Sequence, residues 1–264
     1  MLKNINIGRY IPTNSIIHKL DSRVKIISTM IYIVAIFMIT DLVWFVPAVL
    51  FLIMLIILTK IKFKVMLNGL NAIKYLLIFM MVINIFVIKT GDVLVSFSFI
   101  TIYKDALFHT IFLVLRLMML ILYSSLLTLT TTPMELTDGI ESLLKPLEVI
   151  KVPAHEIAMM ISIALRFIPT LIEETDKIMK AQTSRGVEFN EGKLKDKVLA
   201  IVSLLIPLFV SAFKRADELA NAMEARGYRG GEGRTKFREL KWGLNETLFL
   251  VAHLVLVFII VYRW

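Results

Sequence analysis

Two arginines, each followed by glycine, stand in matched surroundings: Ser184-Arg185-Gly186 and Ala225-Arg226-Gly227. In both copies an aspartate lies nine residues before the arginine (Asp176, Asp217) and an aliphatic residue seven before (Ile178, Leu219). An alanine lies four before (Ala181, Ala222) and a small residue one before. These matches define an internal repeat of roughly eleven residues. A guanidinium presents five donors in a rigid fork, so the chemistry it does best is holding paired acceptors on a partner. One basic residue ahead of a glycine is ordinary helix capping. Two copies with matched upstream residues point to equivalent contacts, with two similar partners or with one partner twice.

Bond-making chemistry finds no constellation. There is no G-x-x-x-x-G-K-[ST] nucleotide loop, no G-x-S-x-G elbow, and no second histidine to complete a zinc motif at His155-Glu156. That pair reads as the polar start of a helix, and Glu173-Glu174 reads as a solvated face. The chain has no cysteine, which removes thiolate chemistry and cysteine-ligated metals. No catalytic residue and no metal ligand is assigned, and the chain is expected not to be an enzyme.

The arginines must be positioned by the helices that precede them. Ile157, Met160, Ile161, Ala164, Ile168, Leu171 and Ile172 recur at three- and four-residue steps, which predicts a helix over about 153–185. Val198, Val202, Leu205, Phe209, Phe213, Ala216 and Ala220 do the same over about 193–226. Gly186 and Gly227 then read as C-terminal stops, placing each arginine in a last helical turn, near the negative end of the helix dipole. Each helix holds an Ile-Pro pair, Ile168-Pro169 and Ile206-Pro207, where a kink is expected. The N-terminal halves, Ile157–Leu165 and Val198–Val210, are apolar nearly all round. They are expected to fall short of the roughly 20 residues that cross a bilayer. They are therefore placed against other spans or in the membrane interface, or as a re-entrant hairpin.

The remainder is membrane protein. Of 264 residues 58% are hydrophobic, and the mean hydropathy is +0.78. Apolar runs predict spans at Ile26–Ile39, Leu42–Thr59, about Ile73–Ile88, about Leu107–Thr132 and about Leu244–Tyr262. The first reads as a retained segment, not a signal peptide. Between the third and fourth spans, Val93, Val95, Phe97 and Phe99 alternate, which admits a short strand or hairpin. Arg116, within the fourth span, is either a functional intramembrane charge or one satisfied by a neighbouring helix or headgroup. Pro133–Glu148 predicts a short helix capped by Thr132 and ended or bent at Pro146.

The formal charge of +9 gathers at membrane edges, without the aromatic interleaving of an RNA-binding surface, so no nucleic-acid partner is expected. The basic N-terminus and the four lysines of the 60–74 loop place both in the cytoplasm by the positive-inside rule. From Pro133 to Lys241 there are 17 basic and 16 acidic residues, a nearly neutral region. Residues 228–238 read as a flexible juxtamembrane linker. The expectation is an all-α polytopic membrane protein with about five transmembrane helices and a cytoplasmic coupling region of long amphipathic helices. Its parts are a membrane domain at 1–132 with four spans, coupling helices at 133–241, and the last span at 242–264.

At these residues the chain resembles the transmembrane (T) component of energy-coupling factor transporters, the prokaryotic vitamin and metal-ion uptake systems. The two small-Arg-Gly triplets carry the resemblance, with Leu20-Asp21-Ser22-Arg23-Val24-Lys25, similar to the family's Leu-Asp-Pro-Arg-x-Lys, and Leu165-Arg166-Phe167-Ile168-Pro169. Ser22 stands where proline is common, and Ser184 where alanine is. The resemblance implies a non-catalytic subunit of the prokaryotic cell membrane, multi-pass, with its N-terminus and residues 133–241 cytoplasmic. It implies two ABC-type ATPase subunits docked on Ser184, Arg185 and Gly186 and on Ala225, Arg226 and Gly227. The unequal triplets lean toward a heterodimer of ATPases. It also implies a separate substrate-binding S component. The apolar faces of Ile157, Ile161 and Leu165 and of Val198, Val202, Leu205 and Phe209 are the surface expected to receive that component. ATP and magnesium would be bound by the partners, leaving this chain no cofactor. The competing expectations are a stand-alone secondary transporter, which needs intramembrane ion-binding groups, and a membrane scaffold, which would be indifferent to the arginine tips.

Overall fold

A computed structural model describes residues 10–71, 73–97, 100–150, 152–189, 192–230 and 240–262. The expected linker at 228–238 and Phe99 of the expected alternation fall largely or wholly outside these residues. The chain forms two compact units, one of Gly8–Ile140 with Leu240–Trp264, the other of Glu141–Glu239.

In the first unit α1 (Ile16–Lys19) leads into α2 (Ser22–Met38). The Asp21 carboxylate accepts the backbone N–H of Arg23 at 2.8 Å and so caps α2. A 3₁₀ turn at Leu42–Trp44 runs into α3 (Phe45–Thr59), which ends where Lys60 turns left-handed at φ 58°. The lysine-rich stretch expected to be a loop contains a helix, α4 (Phe63–Asn71). Its apolar residues share one face, and Met66 is fully buried there; the lysines had masked this periodicity. α5 (Lys74–Val87) follows. β1 (Val93–Phe97) and β2 (Ile100–Tyr103) then pair antiparallel, Val93 opposite Tyr103 and Phe97 opposite Ile100. α6 (Lys104–Thr130), α7 (Pro133–Leu144) and α10 (Leu244–Val261) complete the helices of this unit, the end of α7 passing its boundary.

The core lies between α2, α3, α6 and α10. Tyr32 of α2 stacks on Tyr123 of α6 with ring centroids 4.2 Å apart, and Ala48, Leu55 and Leu256 are buried around them. Outward faces are apolar: Phe37, Ile57, Phe79 and Phe258 are all more than half exposed, a distribution suited to lipid or to an apolar protein partner and not to water. At α7 the Thr132 hydroxyl accepts the Glu135 N–H, and the Glu135 carboxylate accepts the Thr132 N–H, both at 3.2 Å, a reciprocal cap at the expected residue. α7 stops at Leu144, two residues ahead of Pro146, and a 3₁₀ stretch continues to Ile150.

The second unit is built on α8 (Ala154–Ser184) and α9 (Leu194–Ala225), each unbroken through its proline. Five helical segments among the described residues have the length and apolarity to cross a membrane, but they are not the five expected. Leu42–Thr59, α6 and α10 coincide with expected spans, and α8 and α9, at 31 and 32 residues, join them by length and apolarity; the helices at the other two expected spans, α2 and α5, are shorter, at 17 and 14 residues. α4 and α5 would add a sixth if counted as one bent span. As whole helices α8 and α9 meet the length and apolarity of a span, but the stretch in each that is nearly free of charge is still shorter than the roughly 20 residues expected of one. Arg166 is the one charge between Ile157 and Ile172, and Val198–Phe213 carries none.

Candidate functional site: two arginine-capped helix tips

Both tips close in the same way. At α8 the N–H of Gly186 donates to Thr183 O at 3.0 Å, and that of Val187 to Gln182 O at 3.0 Å. At α9 the N–H of Gly227 donates to Glu224 O at 2.8 Å, and that of Tyr228 to Met223 O at 3.0 Å. This pair of bonds is the Schellman closure, which satisfies the carbonyls a helix end leaves open and demands a left-handed residue. Gly186 and Gly227 supply it at φ 87° and 72°. The arginines are therefore C-cap residues, one position beyond the last turn in which they were expected. Their backbones nearly coincide, at φ −90°, ψ 6° for Arg185 and φ −89°, ψ 5° for Arg226. Both are exposed, and neither guanidinium has a hydrogen-bond or ion-pair partner among the described residues. Each triplet is thus assembled into a rigid tip with a free cation at the negative end of a helix. At Ser184 the hydroxyl turns back to Lys180 O at 3.1 Å, a contact that Ala225 lacks.

The structure does not bring the two triplets together. Gln182 Nε2 donates to Ser203 O at 3.2 Å, Arg215 Nη2 to Glu174 Oε2 at 2.8 Å, and the Tyr228 hydroxyl to Met159 Sδ at 3.0 Å. As the partner number falls along α8 it rises along α9, so the helices are antiparallel and the tips point to opposite ends. At 1.5 Å per residue they lie about 30 Å apart along the pair.

Of the apolar face, Val198 and Phe209 are more than half exposed; Ile161, Val202 and Leu205 are less so, and Ile157 and Leu165 are half-buried. Glu174 corrects the expectation of a solvated acid pair. Glu173 faces out, while the carboxylate of Glu174, one helical step round, takes the Ser211 hydroxyl and both Nε (3.2 Å) and Nη2 of Arg215. His155 pairs with Glu141, 3.2 Å away, and not with its neighbour Glu156. In the first unit Arg116 donates to Ile39 O at the end of α2 at 2.8 Å and lies over Phe37 of α2 and Phe112 of its own helix, so a neighbouring helix takes one of its donors, while its Nε is buried without a partner among the described residues.

The Leu-Asp-Ser-Arg-Val-Lys stretch ties three segments together. Arg23 pairs with Asp21 at 2.8 Å, donates to Leu240 O at 3.2 Å and lies over the Trp242 ring. Lys25, buried, donates to His18 O at 3.2 Å and to Thr130 O at 3.0 Å, closing the C-terminal end of α6. The sequence marks these residues as a motif without revealing whom they hold.

The fold and the two tips define a helical multi-pass membrane protein whose paired-helix unit carries two like arginine caps without partners among the described residues, and comparison with known proteins makes the class specific. The sequence model of the CbiQ family, described as cobalt transport protein, matches residues 13–237. The energy-coupling factor transporter transmembrane protein EcfT of Bacillus subtilis is 48% identical over 97% of this chain and 97% of its own length. That of Clostridium kluyveri is 50% identical over 97% and 96%, and that of Streptococcus thermophilus 48% over 97% and 97%. The chain belongs to the CbiQ/EcfT family of energy-coupling factor transporter transmembrane proteins.

Proposed function

We propose that this chain transmits the ATP-driven motion of two ABC-type ATPase subunits to a separate substrate-binding S component, for uptake of a vitamin or other micronutrient. The observation that carries this reading is the duplicated tip: two arginine C-caps with the same closure, unpartnered, at opposite ends of one antiparallel helix pair. One small partner does not reach both ends, so each tip takes one ATPase subunit. Arg185 docks with Ser184 and Gly186, and Arg226 with Ala225 and Gly227. The arginine fork meets paired acceptors, and the small neighbours let the partner's backbone approach. Ser184 and Ala225 differ in a hydroxyl, which favours two different ATPases. ATP and magnesium stay with those subunits, and this chain performs no catalysis. Ile157, Ile161 and Leu165, with Val198, Val202, Leu205 and Phe209, receive the S component. Both arginine tips face the cytoplasm with the N-terminus, which requires the antiparallel α8–α9 pair to lie along the membrane interface and not across the bilayer.

The test is affinity purification from the native host in mild detergent, beside an Arg185→Glu, Arg226→Glu variant. Wild type is expected to bring down two ABC-type ATPase subunits and a small membrane protein. The variant keeps the small protein and loses ATPase recovery by about 30-fold, the effect of removing arginines that anchor an interface. Wild type purifying without any ATPase refutes the reading. For the S-component face, Ile161→Glu and Leu205→Glu should release the small membrane protein and leave the ATPases bound; retention of it places the face elsewhere.

A further inference from the structure

The 41-residue shift that lays one arginine cap on the other also lays Glu174 on Arg215. Each stands eleven residues before its cap (174 to 185, 215 to 226) and two before the shared aspartate. These two equivalent positions are in contact: both donors of the Arg215 fork reach Glu174 Oε2, at 2.8 and 3.2 Å, and Ser211, one turn earlier on α9, donates to Oε1. When two like helices pack antiparallel, a position that meets its own counterpart lies on the twofold axis relating them. Identical charges would repel there. The repeat instead carries opposite charges here, as it also does at Glu173/Lys214 and Lys177/Glu218, and because 174 and 215 meet each other the self-contact becomes an ion pair. The pair is no loose surface bridge, since the side chains are only 22% and 35% exposed and the Ser211 hydroxyl completes the carboxylate's bonding. Toward the tips the polar contacts are neutral and single, Gln182 to Ser203 O on one side and Tyr228 to Met159 on the other.

We infer that Glu174 and Arg215 form a register clamp on the local twofold axis of the α8–α9 pair, a positioning pair that makes the two arginine caps move as one body. The inference rests on the coupling role proposed above. Each cap is about 16 Å from the clamp along its helix. A displacement imposed at one tip reaches the other only while α8 cannot slide on α9, and sliding by one turn breaks all three bonds to Glu174.

The absence of native cysteine permits a direct register readout. Cysteines replacing Gln182 and Ser203 are oxidised in native membranes in four backgrounds: wild type, Glu174→Arg, Arg215→Glu, and the two combined as a charge swap. The same backgrounds, without the added cysteines, are purified with their partner subunits and reconstituted in liposomes, where uptake and ATP hydrolysis are measured separately. Each single reversal should lower cross-linking and uptake per ATP hydrolysed by about tenfold, and the swap should restore both to within about threefold, as a pairwise interaction requires. The subunits should remain assembled and ATP hydrolysis nearly unchanged, which a general folding defect would not allow. Cross-linking that ignores the reversals overturns the clamp. So does altered cross-linking with unchanged uptake per ATP, or a swap that rescues neither. If wild type binds no ATPase, the coupling role falls with the reading it rests on, and the cross-linking arm still decides the clamp by itself.

Discussion

The Tyr123 hydroxyl donates to Nε2 of His253 over 2.6 Å, joining α6 to α10 inside the first unit. The direction follows from the other ring nitrogen: Nδ1 lies 2.8 Å from the Phe249 carbonyl, which only accepts, so Nδ1 carries the proton and Nε2 the lone pair. Both residues are buried, with Tyr32 stacked on Tyr123 and Phe51 edge-on to His253. Tyr123→Phe therefore leaves Nε2 without a donor and should cost about 1–3 kcal/mol. Adding His253→Leu removes the orphaned acceptor and should recover part of that loss. Thermal unfolding in detergent measures both; a double variant less stable than Tyr123→Phe would show that the histidine is not orphaned.

How much of this was legible in the sequence depended on whether a signal was local. Gly186 and Gly227 announced their left-handed turns because a helical pattern stopped there and glycine fits the turn without strain. Thr132 announced its cap because Glu135 follows at the capping-box spacing. Met66, by contrast, sits among lysines whose charge hid the apolar face of α4. Glu174 looked solvated because its partner Arg215 is 41 residues away, and antiparallel pairing leaves no local trace. The information was present all the same: Glu174 and Arg215 occupy equivalent positions of the repeat that had revealed the arginines. The repeat was read for its matches, whereas this contact lies at a mismatch.

His18 should give the α1 segment a mild acid sensitivity. Its Nε2 donates to Ile11 O at 3.0 Å and its Nδ1 accepts from the Ser15 hydroxyl at 2.7 Å, a pattern that suits the neutral ring. Burial lowers the His18 pKa below the ordinary 6.5, and Lys25 adds to the effect, while the bond to Ile11 and the Glu135 carboxylate oppose it. The unfolded chain then binds the proton more readily. Stability is intact above about pH 6.5 and declines as pH falls through that value toward the lower folded one. Thermal midpoints of wild type between pH 8 and 5 should fall more steeply than those of His18→Gln. Equal slopes would remove His18 from the account.

Ser22 should be improvable. It is the first residue of α2, where proline's fixed φ and missing N–H do no harm, and Asp21 before it is already extended at ψ 136°. Its hydroxyl is buried without a partner, so nothing is lost with it. Ser22→Pro should stabilise the protein by about 0.5–1 kcal/mol through the unfolded chain. The opposite holds across the contact: a Cβ on Gly139 of α7 would lie 2.7 Å from Ser22 Oγ and 3.0 Å from Ile26 Cδ1. Gly139→Ala should cost about 1–3 kcal/mol by overpacking. Midpoint shifts of opposite sign check the pair, and a destabilising proline would mean that its ring reaches Gly139.

The cap glycines separate a folding requirement from a docking requirement. A Cβ at Gly186 or Gly227 would meet nothing within 4 Å in this chain, so an added side chain pays only for the left-handed backbone. Alanine there should cost about 1 kcal/mol, and asparagine, which tolerates that conformation, less. If glycine serves the cap alone, Gly227→Asn should retain ATPase subunits nearly as wild type does, and Gly227→Ala should weaken retention only as far as it frays the tip. If the partner's backbone packs against the glycine, both variants should lose those subunits alike while circular dichroism shows the helix unchanged. The second outcome is expected, because the proposed docking gives the small residues beside each arginine a reason that Schellman closure alone does not. Equal retention by wild type and Gly227→Asn would assign the docking to the guanidinium and leave the glycine a structural cap.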